Sequence, residues 1–314
     1  MSDVKITLAG PLPPALRQGI EQLGQVTVAG TDADALTGSS VYVATPMNPI
    51  DAAVIEGLPD SVRLIASIGV GTDHIDIDAA TARSIMVSNT PVVTEDTADL
   101  TFTLLLATCR RLTRCEQLLR DDDWMGAQQV LGHRVHGKTL GIVGFGDIGQ
   151  AVARRAAGFN MKVIYHGPRR KPEAEAALGA EYCESLEALL AQSDIVSLNC
   201  PLTSDTRHLI NAASLASIKA GAVLINTGRG ALVHEQALVD ALAAGQLGAA
   251  GLDVFEFEPE VTPALKAFDN VTLLPHIGSA TGECRMDMAL RLIGNIKTFI
   301  SSGAPADLCN PVGL

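Results

Sequence analysis

Between residues 141 and 149 the sequence is Gly141-Ile142-Val143-Gly144-Phe145-Gly146-Asp147-Ile148-Gly149. This stretch contains the pattern G-x-G-x-x-G at Gly144, Gly146 and Gly149. In such a pattern the first glycine permits a tight turn, the second lets the backbone approach a pyrophosphate, and the third lets a helix pack closely on a strand. A β-branched segment precedes the pattern and an amphipathic segment follows it, so the stretch predicts a dinucleotide-binding βαβ unit. A glycine turn without a ligand is the less favoured alternative.

On both sides of this turn, short β-branched runs alternate with amphipathic segments. The runs predict strands at Val4–Leu8, Val26–Ala29, Val41–Ala44, Leu64–Ser67, Ile85–Ser88, Thr139–Val143, Lys162–Tyr165, Ile195–Leu198, Ala222–Ile225, Ala249–Leu252 and Val271–Leu274. Helical patterns near the N-terminus cover Leu12–Leu23, Pro49–Gly57 and Ile75–Ser84. This alternation predicts an α/β fold with open parallel sheets that helices cover on both faces.

Two longer helical patterns organise the chain into domains. Glu95–Arg120 is predicted as one long helix, with Thr94 as its N-cap and acidic residues in its first turn. Thr281–Ser301 has apolar residues at the spacing of one helix face. A chain of 314 residues is long enough for two domains. The sequence therefore predicts two α/β domains that meet near residue 100, with the last helix returning to the first domain.

The composition excludes several classes of partner. The net charge is −12, whereas nucleic-acid binding requires basic surfaces that neutralise phosphates. The same charge disfavours an anionic membrane surface, and no apolar run approaches the length of a membrane span. We therefore expect no nucleic-acid partner and no membrane association.

The cysteines and the N-terminal segment indicate in which cellular compartment the protein is expected. The six cysteines are scattered, without a C-x-x-C pair or a Cys/His cluster, so we expect reduced thiols and no metal site. The segment MSDVKITLAG lacks a basic region followed by an apolar stretch, which is the pattern of a signal peptide. A cytoplasmic protein is the resulting expectation.

The end of the second strand of the βαβ unit bears on the choice of cofactor. Enzymes that prefer NAD place an acidic residue there to bind the ribose hydroxyls. Here the acidic position falls at about Gly167, and Arg169, Arg170 and Lys171 follow it. Guanidinium groups bind phosphate through bidentate, charge-assisted hydrogen bonds, which suits the 2′-phosphate of NADP. The sequence therefore predicts NADP as the preferred cofactor, with NAD also possible; a solvated basic loop is the alternative.

Three motifs follow predicted strands late in the chain. They are Asn226-Thr227-Gly228-Arg229-Gly230, Asp253-Val254-Phe255-Glu256-Phe257-Glu258-Pro259 and Pro275-His276-Ile277-Gly278-Ser279-Ala280-Thr281. Taken singly, Arg229, Glu258 and His276 could each have a purely structural role. In an open α/β sheet, however, ligands bind at the carboxyl ends of the strands, so the three residues are predicted to converge on one crevice.

Together these motifs resemble the D-isomer-specific 2-hydroxyacid dehydrogenase family, and within it most closely the glyoxylate and hydroxypyruvate reductases. The resemblance covers essentially the whole chain and includes residues 67–76 (SIGVGTDHID), Asn89-Thr90-Pro91 and Thr97-Ala98-Asp99. It implies two doubly wound domains. A flavodoxin-like substrate (catalytic) domain would comprise residues 1–98 and 287–314, and a Rossmann dinucleotide-binding domain residues 99–286.

The family also implies roles for these residues. His276 would be the general acid, because histidine titrates near neutral pH. Glu258 would orient the ring of His276 and favour its protonated form. Arg229 would bind the substrate carboxylate and stabilise charge that develops on the carbonyl oxygen. The expected reaction is the NAD(P)H-dependent reduction of a small 2-keto acid, such as glyoxylate or hydroxypyruvate, to the D-2-hydroxy acid.

Further residues are assigned to cofactor and substrate. Besides Gly144, Gly146, Gly149, Gly167, Arg169 and Arg170, the resemblance places at the cofactor Thr97, Asp147, Ile148, Cys200, Pro201, Thr227, Gly228, Asp253, Gly278 and Ser279. Backbone amides at Val70 and Gly71 would bind the substrate carboxylate together with Arg229. A homodimer is expected by analogy, with Trp124 in the segment that mediates dimerisation in relatives. Asp73, His74 and Asp76 are expected to be mainly structural.

Alternatives to this function remain on the same scaffold. One is a non-catalytic NAD(P)-sensing protein like the transcriptional corepressor relatives, and another is an oxidoreductase such as a phosphite dehydrogenase. A formate dehydrogenase is disfavoured, since those enzymes carry an amide at the position of Glu258. Thr45, Pro46 and Met47 follow a predicted strand and are candidates to border the substrate side chain, but their identity does not separate small substrates from aryl ones.

Overall fold

The computed structural model describes residues 4–31 and 33–312. It divides into two compact units. The first consists of the described residues within Met1–Val93 and Ser279–Leu314, and the second of Thr94–Gly278. The first unit is therefore discontinuous in sequence. Its limits at Val93 and Ser279 lie five and eight residues before the predicted limits at residues 98 and 287. The first difference arises because the helix that begins at Thr94 belongs entirely to the second unit.

Strands and helices alternate along the described chain. The strands are β1 Lys5–Leu8, β2 Gln25–Val28, β3 Ser39–Ala44, β4 Leu64–Ser67, β5 Met86–Ser88, β6 Thr139–Val143, β7 Lys162–His166, β8 Ala180–Tyr182, β9 Ile195–Leu198, β10 Ala222–Asn226, β11 Leu247–Leu252 and β12 Val271–Leu273. The α-helices are α1 Pro14–Glu21, α2 Ala33–Leu36, α3 Ala52–Gly57, α4 Ile77–Ala82, α5 Thr94–Cys109, α6 Leu112–Arg120, α7 Trp124–Gln129, α8 Asp147–Ala157, α9 Pro172–Leu178, α10 Leu186–Gln192, α11 Ala212–Ala216, α12 Glu235–Ala243 and α13 Gly282–Ser302. Two short 3₁₀ helices cover Gly230–Leu232 and Pro263–Ala267.

The first unit is built on a parallel sheet with the strand order β2-β1-β3-β4-β5. This is the flavodoxin-like order predicted for the substrate domain. The central strands are buried on both faces because helices cover the sheet. One of these helices is α13, whose Leu292 and Ile296 pack in the same apolar cluster as Ile6 and Leu64. No helix within the described ranges is long and apolar enough to cross a membrane.

The second unit is built on a parallel sheet with the strand order β12-β11-β10-β9-β6-β7-β8. Counted from β6, the chain first adds strands on one side and then returns to add β9 to β12 on the other, as in a Rossmann fold. The order reverses between β6 and β9, and ligands bind at such a switch point outside the carboxyl ends of the strands. This arrangement confirms the predicted α/β fold class.

The predicted strands are all present, with ends shifted by a few residues at most, but two features differ from prediction. Strand β8 was not predicted, since its three residues carry no β-branched pattern. The single long helix predicted at Glu95–Arg120 is wrong, because the chain forms α5 and α6 with a break between them. At the break Arg111 has a left-handed backbone conformation (φ 55°), although neither glycine nor proline marks this position.

The third glycine of the 141–149 stretch shows how closely α8 packs on the turn before it. A Cβ atom at Gly149 would lie 2.3 Å from the backbone oxygen of Gly144 and 3.2 Å from Cγ2 of Ile142. Both neighbours belong to the β6 strand or the turn that follows it. A side chain at position 149 would therefore push the helix away from the sheet.

We predict that Gly149→Ala lowers the free energy of unfolding by about 1–3 kcal/mol, because the added methyl group overpacks a backbone contact. Gly294→Ala is the matched control, since Gly294 lies within α13 and no described atom outside its own stretch of helix lies within 4 Å of its Cβ position. This control should be neutral or stabilising by up to about 1 kcal/mol. Urea unfolding of both variants measures the difference, and equal stability of the two would contradict the packing argument.

Candidate active site

The turn after β6 has the geometry of a phosphate-binding loop. Gly144 has φ +91°, and a Cβ atom there would lie 2.5 Å from the backbone nitrogen of Cys200. Gly146 is the N-cap of α8, and within the described ranges no atom other than those of its chain neighbours lies within 4 Å of its Cβ position. The exposed Asp147 and the half-buried Ile148 begin the helix. The loop thus leaves open space in front of a helix N-terminus, where backbone N–H groups and the helix dipole attract an anion.

The loop after β7 contains the residues predicted to recognise the adenosine ribose of the cofactor. Gly167 has open space around its Cβ position, and Arg169 is exposed. Arg170 forms a two-pronged ion pair with Glu175, through Nε at 3.0 Å from Oε1 and Nη2 at 2.9 Å from Oε2. Hydrogen bonds from Arg170 and from the hydroxyl of Tyr165 hold the pKa of Glu175 below its ordinary value. The loop is therefore basic, but Arg170 already has an acidic partner that the sequence did not reveal.

The turn after β10 presents Arg229. The side chain of the buried Asn226 fixes the backbone of this turn. Its Nδ2 donates to the carbonyl oxygen of Arg229 (2.8 Å), and its Oδ1 accepts from the amide of Gly228 (3.0 Å). Nη1 of Arg229 donates to the carbonyl oxygen of Gly228 at 2.8 Å. The hydroxyl of Thr227 lies 2.6 Å from that of Thr101 on α5. Asn226 was part of the predicted motif, but its role in bracing the turn is shown only by these two hydrogen bonds in the folded structure.

Asp253 joins the ends of β11 and β12. Its carbonyl oxygen accepts from the amide of His276 and its Oδ1 accepts from the amide of Ile277, both at 2.8 Å. The side chain is fully buried, and its Oδ2 has no hydrogen-bond partner among the described residues. Burial raises the pKa of the Asp253 carboxyl, against the opposing effects of the Ile277 amide and the charge of His276. An unsatisfied buried acceptor of this kind fits the donor groups of a ligand.

His276 and Glu258 form a hydrogen-bonded pair, with Nδ1 of His276 at 2.8 Å from Oε2 of Glu258. Oε1 of Glu258 accepts from the amide of Phe255 at 2.9 Å. Burial would by itself raise the pKa of Glu258, but the hydrogen bonds from His276 and Phe255 and the charges of His276 and Arg229 lower it. An ionised carboxylate can only accept, so Nδ1 carries a proton and the ring is fixed in orientation.

His276 has a left-handed backbone conformation, with φ 54°. A residue other than glycine occupies this region at some energetic cost, and such residues concentrate at functional sites. The conformation is held by the hydrogen bond from the His276 amide to Asp253. The histidine is therefore positioned by the backbone as well as by Glu258.

Other predicted cofactor residues of the second unit also lie together. A Cβ atom at Gly278 would be 3.5 Å from Oδ2 of Asp253 and 3.6 Å from Cγ2 of the buried Thr97. Cys200 and Pro201 follow β9, and the backbone of Cys200 abuts Gly144. Gly228 packs near the carbonyl oxygens of Leu198 and Cys200, at 3.3 and 3.5 Å from its Cβ position.

The remaining predicted residues lie in the first unit. Val70 and Gly71 follow β4, Thr45, Pro46 and Met47 follow β3, and Ser279 begins the C-terminal part of this unit. His74 lies 3.0 Å from the hydroxyl of Ser67, and Asp76 caps α4 by accepting from the amide of Ala79 (2.9 Å). These contacts agree with the structural roles expected for the two residues.

The groups that the second unit presents after β6 and β11 fit a nicotinamide dinucleotide. The open glycine turn at the N-terminus of α8 suits the pyrophosphate. The unsatisfied Oδ2 of Asp253, beside the small Gly278, suits an amide donor such as the carboxamide of nicotinamide. Both features lie at the carboxyl edge of the same sheet.

Comparisons with known proteins agree with this geometry. Residues 102–278 match the family model of the D-isomer specific 2-hydroxyacid dehydrogenase, NAD binding domain. The glyoxylate reductase of Thermococcus litoralis is 47% identical over 268 residues, covering 83% of this chain and 80% of that protein. The crystal structure of a glyoxylate reductase from Paecilomyes thermophila is similar with a TM-score of 0.91 and 37% identity, over 98% of each chain.

A second solved structure is that of an NADPH-dependent glyoxylate/hydroxypyruvate reductase from Sinorhizobium meliloti in complex with NADP and malonate. It is similar with a TM-score of 0.91 and 34% identity, covering 98% of this chain and 97% of that one. These matches confirm the resemblance inferred from the motifs. The chain belongs to the D-isomer specific 2-hydroxyacid dehydrogenase family, and it is an NAD(P)-dependent oxidoreductase.

Proposed function

We infer that the protein reduces a small 2-keto acid, glyoxylate or hydroxypyruvate, to the corresponding D-2-hydroxy acid. The observation that carries this proposal is the His276–Glu258 pair, with Nδ1 and Oε2 2.8 Å apart, at the sheet edge that also presents Arg229. Arg229 is close enough to lower the pKa of Glu258 through its charge. An acid, its orienting carboxylate and an anion-binding guanidinium are what carbonyl reduction of a keto acid requires.

Each residue of this set has a distinct task. Bound reduced nicotinamide supplies the hydride. Arg229 binds the substrate carboxylate and stabilises negative charge on the carbonyl oxygen as it develops. His276 donates its proton to that oxygen, and Glu258 holds the ring so that Nε2 is the donating atom. In the reverse direction the same histidine accepts the proton from the hydroxyl group.

The substrate-binding role of Val70 and Gly71 in the first unit stays a prediction. Its support is the fixed shape of their loop. Nδ2 of Asn89 donates to the carbonyl oxygen of Val70 (2.8 Å), and the hydroxyl of Thr90 accepts from the amide of Gly69 (2.8 Å). A loop held in this way can present its backbone amides to a carboxylate without reordering.

We predict that His276→Ala lowers kcat for glyoxylate by about 10²–10⁴-fold, because proton transfer is lost. The affinity for NADPH, measured by fluorescence titration, should stay unchanged. His136→Ala is the control, since this exposed histidine contacts Asn160 (3.0 Å) outside the site. Near-normal turnover in His276→Ala would rule out this residue as the acid.

A substrate panel tests the reaction itself. We expect the highest kcat/KM with glyoxylate and hydroxypyruvate, lower values with pyruvate, and the lowest values with aryl 2-keto acids. Absence of turnover with every keto acid, combined with tight NADPH binding, would instead favour a non-catalytic sensor. Turnover of phosphite alone would favour the other dehydrogenase considered above.

The cofactor preference we propose is NADPH over NADH. Gly167 leaves room where an NAD-preferring enzyme has a carboxylate, and Arg169 is exposed beside it. Arg170 is held in place by Glu175, yet its guanidinium keeps further donors for a phosphate. The relative from Sinorhizobium meliloti, which is NADPH-dependent, supports the same preference.

We predict that the wild-type kcat/KM is higher with NADPH than with NADH, and that Gly167→Asp reverses this order because a carboxylate repels the 2′-phosphate. Arg169→Ala should weaken NADPH use alone. Lys162→Ala is the control, an exposed lysine at the opposite end of β7 that pairs with Glu181. A wild-type preference for NADH would contradict the proposal.

We propose further that the protein forms a homodimer, and that the interface is an apolar surface formed by α6 and the segment that follows it. No residue of α6 is buried. The side chains of Leu112, Leu119, Trp124, Met125 and Leu131 are 50–84% exposed. Exposed apolar residues in such a concentration are typical of an interface.

We expect sedimentation velocity to show a dimer that Trp124→Glu, combined with Met125→Glu, shifts towards monomer, because charge opposes burial of this surface. Leu290→Glu is the control, an exposed leucine on α13 of the first unit. A wild-type monomer at micromolar concentration would contradict the proposal.

A further inference from the structure

Two buried glutamates lie outside the proposed catalytic set. Glu235 is 3% exposed, and the side chain of Glu256 is 7% exposed. They bind each other's backbone, because the amide of Glu256 donates to Oε1 of Glu235 (2.7 Å) and the amide of Glu235 donates to Oε2 of Glu256 (3.1 Å). We call this pair of reciprocal hydrogen bonds the glutamate clamp.

The remaining carboxylate oxygens of the clamp are also satisfied. Oε2 of Glu235 accepts from the hydroxyl of Thr262. Oε1 of Glu256 lies 2.5 Å from Nε2 of His208 and 3.8 Å from Nη2 of Arg207. Burial would raise the pKa of Glu256, but the Glu235 amide and His208 more than offset this and lower it. Glu256 is therefore an ionised carboxylate with defined partners for both oxygens.

The clamp connects the two segments that carry the proposed catalytic residues. Glu235 is the first residue of α12, which follows Arg229 and the 3₁₀ helix Gly230–Leu232. Glu256 lies two residues before Glu258 and next to Phe255, whose amide holds Glu258. The segments touch directly as well, because a Cβ atom at Gly230 would lie 1.8 Å from the carbonyl carbon of Phe255.

We propose that Glu235 and Glu256 are positioning residues, whose reciprocal hydrogen bonds set Arg229 in place relative to the Glu258–His276 pair. This inference rests on the proposed function, since it assumes that Arg229 binds the substrate and His276 transfers the proton. Neither glutamate contacts the reacting atoms. They act by joining the turn after β10 to the loop after β11, at the sheet edge where both begin.

Charged carboxylates suit this task better than apolar contacts. Burying an ionised group carries a desolvation cost, so the pair is poor evidence for stabilisation alone. Hydrogen bonds from a backbone amide to a carboxylate are short and directional, and they allow one relative position of the two segments. Misplacement of catalytic groups by about 1 Å can lower the rate about 100-fold.

The test uses Glu256→Ala, Glu256→Gln, Glu235→Gln and the double glutamine variant. For each we would measure kcat and KM for glyoxylate, the dissociation constant of NADPH, and Tm. Glu260→Ala is the matched control, because Glu260 is exposed and lies four residues further along the same loop. His276→Ala is measured in parallel as the test of the catalytic assignment.

We expect Glu256→Ala to lower kcat/KM for glyoxylate by about 10- to 100-fold, through a raised KM and a lowered kcat together. The affinity for NADPH should stay unchanged. Glu256→Gln keeps one carbonyl oxygen as an acceptor, so it should recover part of the loss. The two glutamine substitutions should be non-additive, because each removes the same connection.

Two outcomes overturn the inference while leaving the proposed function intact. One is wild-type kcat and KM in Glu256→Ala while His276→Ala is inactive. The other is a lowered Tm with unchanged kcat and KM below that temperature, which shows that the clamp only stabilises the fold. If Glu256→Ala does not fold, the glutamine variants decide by the same criteria. Full activity of His276→Ala would instead reject the proposed function on which the inference rests.

Discussion

The hydrogen bonds between Asp253 and the backbone of His276 and Ile277 are the connection on which the candidate site depends. They join the carboxyl ends of β11 and β12, at 2.8 Å for each bond. They also hold His276 at φ 54°, a conformation that a free loop would leave. In this backbone conformation the imidazole ring of His276 forms its hydrogen bond with Glu258.

A second constraint is the close approach of backbone segments at the same sheet edge. Gly144 packs against the backbone of Cys200, Gly149 against the turn before α8, and Gly230 against Phe255. In each case a Cβ atom would lie within 2.5 Å of a backbone atom. The strand ends can converge only because side chains are absent at these points, so the geometry of the site is also a packing requirement.

The acidic groups of the segment after β11 differ in their pKa shifts because their surroundings differ. Asp253 is buried, its Oδ2 has no hydrogen-bond partner in the part of the chain that the structure describes, and burial raises its pKa. Burial would also raise the pKa of Glu256 and of Glu258, but hydrogen bonds and nearby cations lower both. Within six residues the pKa of Asp253 is therefore shifted upwards and those of Glu256 and Glu258 downwards, because their partners differ.

The sequence by itself determined eleven of the twelve strands of the described chain, the glycine turn, and the positions of Arg229, Glu258 and His276 after strand ends. These follow from local patterns, since β-branched runs and glycine spacing act over a few residues. The tertiary structure decided features that no local pattern shows: the break at Arg111, the Arg170–Glu175 ion pair, the brace of Asn226 and the Glu235–Glu256 contact. Glu235 and Glu256 are 21 residues apart, so only folding brings them together. Arg170 and Glu175, like Asn226 and Arg229, are near neighbours in sequence, and their pairing depends on the conformation that the folded loop imposes.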